Sequence, residues 1–141
     1  FSGIWELRAS QNTDIFLKSL GISYLDREIL SKASMTMTIV HQENKLDVTE
    51  QFHTYDETKH ELQVDGTEIK TDDAMGDVVK LSASWKSKDE RVLMINCLNC
   101  TRNVRIIIER SRPGCSLLKD TIYNMSNYGQ SMTRIFKRKE T

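Results

Sequence analysis

The groups best suited to chemistry in this sequence are arginines that alternate with apolar residues, because a guanidinium carried into an apolar interior demands a negative partner. In the stretch 130–138, Met132, Arg134 and Phe136 share one strand face, while Thr133, Ile135 and Lys137 share the other. With the first face inward, Arg134 is a buried cation, and the carboxylate of a bound molecule would answer it if the chain supplies none. With the second face inward, Ile135 is the core residue and Arg134 is solvated. A similar choice arises upstream. Facing Val104, Ile106 and Ile108 inward takes Arg110 with them and leaves Asn103, Arg105 and Glu109 in water, the better amphipathic pattern. A register one residue off would instead bury Arg105 with Glu109 as an internal ion pair. Two cations meeting one carboxylate would form charge-assisted hydrogen bonds, which strengthen where water is scarce.

Other chemistries find less support. Cys97 and Cys100 have redox or zinc spacing, but no second such pair accompanies them, and His41, His53 and His60 lie far back in the chain. With Cys115 the cysteines number three, an odd count that argues for a reducing compartment and ordinary thiols. No metal or cofactor is expected. No histidine neighbours a candidate nucleophile in a motif, and no glycine-rich loop could cradle phosphate, so an enzyme is the least favoured class. Twenty basic residues balance 20 acidic ones, which removes the electrostatic footprint of a nucleic-acid binder. No apolar run approaches the ~20 residues of a spanning helix. No signal-like segment is visible, and the first residue, Phe1, leaves a removed leader open.

The elements that must position these arginines follow from periodicity. At 141 residues the chain fits one domain, large enough to bury a core or enclose a cavity. Trp5, Leu7 and Ala9 alternate with Glu6 and Arg8 in a first strand over 4–10. Ile15, Phe16 and Leu20 then fall at helical spacing, with Gly21 as the stop. A second short helix is expected from Ser23 or Tyr24 to Ala33, with Leu25, Ile29 and Leu30 along one side and Arg27 and Lys32 exposed. From Met35 onward the period is two almost to the end, broken by turn signals such as Asp65-Gly66. About ten antiparallel strands result, and a meander of that number should curl and close to remove its edges. Its apolar faces also carry Glu50, His60, Thr67, Thr71 and Arg134, more polar members than a solid core accepts. A cavity holding an amphipathic ligand would accept them.

The opening Phe1-Ser2-Gly3-Ile4-Trp5-Glu6-Leu7, with Ser10, Asn12 and the run Phe16 to Gly21, resembles the start of the intracellular lipid-binding proteins. These are the fatty-acid-binding and cellular retinoid-binding proteins. Met132-Thr133-Arg134-Ile135-Phe136 resembles the family's closing motif, and the stretches 54–58, 71–74 and 79–80 match in spacing. The resemblance implies an all-β fold: a ten-stranded antiparallel up-and-down barrel with a two-helix lid between the first and second strands. It also implies a monomeric, non-enzymatic carrier in the cytoplasm, with nuclear entry left open. Its ligand would be a long-chain fatty acid or related lipid, with the carboxylate against Arg134 and a second interior arginine, Arg110. Phe136 stands where the family usually has a tyrosine, which removes a donor worth ~1 kcal/mol or more to a charged acceptor. Tyr55 falls where an aromatic gate is frequent. Phe16, Met37, Trp85, Met94, Leu117, Tyr123 and Met132 are the expected wall residues, the methionines adapting to ligand shape. Lys18, Arg27 and Lys32 on the lid would make transient contact with anionic membrane. A retinoid carrier, a secreted lipocalin and a filled barrel used for protein interaction are the competing readings. Gly3-Ile4-Trp5 also resembles the lipocalin opening, but two helices directly after the first strand speak against it.

Overall fold

The computed structural model describes residues 1–52, 55–89, 91–126 and 130–139. Strand β1 (Gly3–Gln11) leads into helices α1 (Thr13–Ser19) and α2 (Tyr24–Lys32). The chain then runs through β2 (Met35–Gln42), β3 (Lys45–Phe52), β4 (Thr58–Gln63), β5 (Ile69–Asp72) and β6 (Val78–Ser87). It ends with β7 (Val92–Asn99), β8 (Val104–Gly114), β9 (Leu117–Asn124) and β10 (Ser131–Arg138). All ten strands form one sheet in the order β4-β3-β2-β1-β10-β9-β8-β7-β6-β5. Every observed pairing is antiparallel, and the return of β10 to β1 curls the sheet into a barrel. Closure by hydrogen bonding is nevertheless incomplete. β4 and β5 remain the two edges, so the expected removal of both edges is met only in part.

Alternation decides which residues enter the barrel. On β2 the buried positions are Met35, Met37 and Ile39; on β7 they are Leu93, Ile95 and Cys97. Leu118, Asp120, Ile122 and Asn124 are the buried set on β9. One end is densely packed around Trp5, Met37, Leu46, Leu62, Leu93, Leu118 and Phe136, all fully buried. Trp5 is fixed further by its indole N–H, which donates to the Phe1 carbonyl at 3.0 Å, and by the guanidinium of Arg138 stacked 4.9 Å from its ring. At the other end the helices cover the barrel mouth, and Phe16 on α1 packs with Ile122 and Met132.

The lid is held by its connections more than by its own packing. Leu20 caps α1, and Gly21 follows at φ +80°, a left-handed conformation that glycine adopts without strain. The Gly21 carbonyl accepts from Arg102 Nη1 at 3.3 Å, and Asn124 Nδ2 donates to Ser19 Oγ at 3.0 Å. Helix α2 buries no residue, and Tyr24 and Leu25 are about two-thirds exposed. Of the apolar side expected on this helix, Ile29 and Leu30 are half-buried, and Leu25 is exposed. Arg27 also differs from expectation. It is half-buried, pairing with Asp14 at 3.0 Å and donating to the Ile22 carbonyl at 2.7 Å, because an ion pair between the helices substitutes for an apolar seam.

The two ends of the barrel should respond differently to truncation. In urea denaturation Leu118→Ala, in the packed end, is expected to cost ~2–5 kcal/mol. Met132→Ala, beside existing space, should fall at or below the lower bound; equal losses would show that the two ends are packed alike.

Candidate ligand-binding site

Below the lid lies a cavity of about 260 Å³. Its wall is mainly apolar, with Leu7, Phe16, Leu30, Phe52, Val79, Leu81, Ile95, Ile106, Ile108, Ile122 and Met132 contributing from seven strands and both helices. Its polar members include Glu50, His60, Thr71, Arg110 and Arg134. Four of the five polar positions expected on inward faces therefore do border it; Thr67 does not.

The polar centre is built by register. Asp120 on β9 is paired directly with Arg110 on β8 and with Arg134 on β10, so three neighbouring strands place one row of alternating charge. Alternation on β8 sends Ile106, Ile108 and Arg110 inward and leaves Arg105 exposed. Arg110 Nε and Nη2 donate to Asp120 Oδ1 and Oδ2 at 2.8 and 2.9 Å, a bidentate pair with both side chains almost wholly buried. Arg134 Nη2 reaches the same Oδ2 at 3.4 Å. Its Nη1 lies 3.6 Å from the Met35 sulfur, and its guanidinium sits 5.6 Å from the centre of the Phe136 ring. Arg134 Nε is buried and has no hydrogen-bond partner among the described residues.

The negative partner expected from a bound molecule if the chain supplied none is thus supplied, in large part, by Asp120. Asp120 was not singled out from sequence. The available signal was its place in the alternating set Leu118, Asp120, Ile122, which puts an acid on an apolar face. Burial alone would raise its pKa, but Arg110 and then Arg134 outweigh that effect and hold the carboxyl below its usual value. Desolvation likewise works to lower the Arg110 pKa, and the Asp120 charge more than reverses it. Both groups therefore remain ionised.

Of the expected wall residues, Phe16 and Met132 line the cavity with Arg110 and Arg134. Phe136 is fully buried beneath the Arg134 guanidinium, outside the lining. Met37 lies in the packed end. Trp85 stacks on Phe1, with ring centres 6.2 Å apart, in a separate cleft that includes His41 and Arg112. Met94 and Tyr123 fall on the outer phase of their strands, since Leu93 and Ile95, and Ile122 and Asn124, take the inner one. Leu117 is likewise absent from the lining. Tyr55 is also set back from the cavity: its hydroxyl donates to Asp26 Oδ1 on α2 at 3.4 Å, and its ring meets Phe52 edge-on. Phe52 is the aromatic residue that borders the cavity there. Cys97 is on the wall, and burial pushes its thiol up to about 12, which leaves it unreactive at neutral pH. His53 lies outside the described residues.

No protein-family profile matches the chain. A curated fatty acid-binding protein from Clonorchis sinensis is 29% identical over 104 residues, covering 67% of this chain and 78% of that protein. Among solved structures, a Schistosoma mansoni fatty acid binding protein in complex with arachidonic acid superposes with a TM-score of 0.85 at 22% identity, over 99% of this chain and 96% of that one. Echinococcus granulosus fatty-acid-binding protein 1 gives 0.83 at 16% identity, over 99% and 98%. The fatty-acid-binding protein of Manduca sexta gives 0.81 at 20%, over 97% and 98%. The resemblance is borne out at the level of fold: the chain has the fold of these fatty-acid-binding proteins, and a curated relative carries the same name.

Two outcomes follow from the electrostatics. Asp120→Ala strands the buried Arg110 guanidinium and the half-buried one of Arg134 and should lower unfolding stability by ~3–5 kcal/mol, measured by denaturant titration; a loss under 1 kcal/mol would mean water already solvates the pair. The second concerns His60, whose pKa is lowered by burial and, more weakly, by Arg110, against an opposing pull from Glu50. The folded protein therefore takes up this proton at lower pH than the unfolded chain does, so stability falls as pH drops through the unfolded value of about 6.5. His41, also lowered by burial, adds the same sign. His60→Gln should therefore flatten, without abolishing, the decline in Tm between pH 7 and 5. An unchanged slope would refute the assignment to His60.

Proposed function

We propose that this protein carries a single-chain amphipathic lipid, a long-chain fatty acid or close analogue, with its tail along the apolar wall and its head at Arg134. The observation that carries the reading is the Arg134 guanidinium, which borders an apolar cavity and has a buried Nε–H with no partner among the described residues. An unpaired buried donor costs ~1–3 kcal/mol, and a ligand oxygen would relieve it. The apolar wall adds ~0.8 kcal/mol for each methylene it buries, so most of the affinity comes from the tail. The arachidonic acid named with the Schistosoma mansoni neighbour and the fatty-acid-binding name of the curated relative support the same class of ligand. Empty space under the lid also counts against a filled barrel used only for protein interaction.

In this reading the carrier is a monomer of the cytoplasm and catalyses nothing. Among the described residues no helix is long and apolar enough to cross a membrane. Transfer of the lipid would take place at a membrane surface through the lid, where Lys18 and Lys32 are exposed beside Ile15, Tyr24 and Leu25.

Native mass spectrometry of freshly purified protein should reveal a co-purified lipid. Arg134→Ala is expected to weaken a fluorescent fatty-acid analogue by ~1–3 kcal/mol, and unchanged affinity would remove the head assignment. Parallel titration with retinoic acid separates the two ligand classes: tighter retinoid binding would overturn the acyl-chain reading.

A further inference from the structure

The cavity carries a second group of polar side chains, on β3 and β4, with β1 and β2 between them and Arg134 on β10. Glu50 is paired directly with Thr58, and His60 follows Thr58 on the same face, opposite the buried Val48. Glu50 and His60 are therefore diagonal neighbours, a relation that sets Cβ atoms about 7 Å apart and leaves room for one small group between the side chains. Burial lowers the His60 pKa, and Glu50 is near enough for its charge to oppose that shift. Glu50, Thr58 and His60 are all half-buried and all line the cavity. Among the described residues none of these three side chains has a hydrogen bond or an ion pair. A carboxylate accepts hydrogen bonds, and a neutral imidazole carries one N–H donor. A hydroxyl suits both, donating its O–H to Glu50 while its oxygen accepts from His60 or Thr58. An unsubstituted acyl tail laid along this wall would displace water from the three groups and return no hydrogen bond to any of them.

We propose that Glu50, Thr58 and His60 form a subsite for a hydroxyl on the ligand's tail, so that the cavity selects long-chain hydroxy fatty acids, with the carboxylate at Arg134 and the hydroxyl between Glu50 and His60. The inference rests on the carrier reading and narrows its ligand class. The head is held on β10 and the hydroxyl on β3 and β4, so only one stretch of tail carbons comes opposite the subsite. Recognition therefore depends on where along the chain the hydroxyl sits. A site built to hydrogen-bond a hydroxyl also discriminates against the analogue that lacks it, because its own polar groups are then left unpaired. Neither an apolar wall nor a pocket of trapped water would produce selectivity for position.

The test uses the delipidated full chain with octadecanoate and a series of its monohydroxy isomers, the hydroxyl placed near the carboxylate, at mid-chain or near the methyl end. Each is measured by displacement of a bound fluorescent probe at pH 7.4. In the unaltered protein one isomer should bind at least as tightly as octadecanoate and about tenfold tighter than the other isomers. Glu50→Leu should shift the ratio of that isomer to octadecanoate about tenfold toward octadecanoate, and His60→Leu should shift it in the same direction. Glu50→Gln keeps an acceptor at the site and should restore part of the preference. Isomers that all bind alike, or all more weakly than octadecanoate, overturn the subsite and leave the carrier reading intact. So does a ratio unmoved in both leucine variants. Failure of octadecanoate and every isomer to bind overturns the carrier reading and the subsite with it.

Discussion

A carboxylate held between two guanidinium groups inside a sheet is the constraint around which this barrel is arranged. Taking an ion pair out of water costs several kcal/mol per ion, and only near-ideal geometry recovers it. Here the geometry comes from adjacent strands in fixed register, Arg110 opposite Asp120 and Asp120 opposite Arg134. Sliding any one of β8, β9 or β10 by a single residue would turn its charge to the outer face and strand the others. The row therefore favours one register on the same three strands whose apolar residues form much of the cavity wall.

The rest of the molecule divides around that row. On one side, fully buried large side chains fill the barrel, with Trp5 stacked beneath Arg138 and Phe136 beneath Arg134. On the other, the wall is apolar but unfilled, and two short helices cover it. Helices of seven and nine residues are marginal alone, so their anchors matter: Phe16 among Ile122 and Met132, Asn124 to Ser19, and Arg102 to Gly21. Since α2 buries nothing, the lid is the part of the structure least committed to the core. That property is expected of an element that must yield to admit a ligand.

Much of the fold was legible because most of the chain obeys a period of two, with a helical interval between Thr13 and Lys32. Within the site, the same pattern sent Arg110 inward and Arg105 outward, and set Met132, Arg134 and Phe136 on one face. It failed where position along the barrel mattered as well as face. Met37 and Trp85 point inward by alternation, yet they lie toward the packed end or the separate cleft, away from the cavity. Tyr55 was placed near the mouth, but its hydrogen bond to Asp26 turns it into a tether for α2, and the neighbouring Phe52 borders the cavity. Met94 and Tyr123 show a simpler limit: each is a large side chain among buried neighbours, and its phase follows from the residues on either side of it.

The sequence by itself determined which strand residues share a face, where the two helices interrupt the strands, and that two arginines travel with apolar partners. Those are local properties, carried by backbone geometry and side-chain periodicity over a few residues. Only the tertiary structure decided that Asp120 stands between those arginines and that Arg134 borders the cavity. Which residues meet across a ladder depends on how turns and bulges set one strand against the next, and Arg110 and Arg134, 10 and 14 positions from Asp120 in the chain, became neighbours of one carboxylate only when β8, β9 and β10 paired.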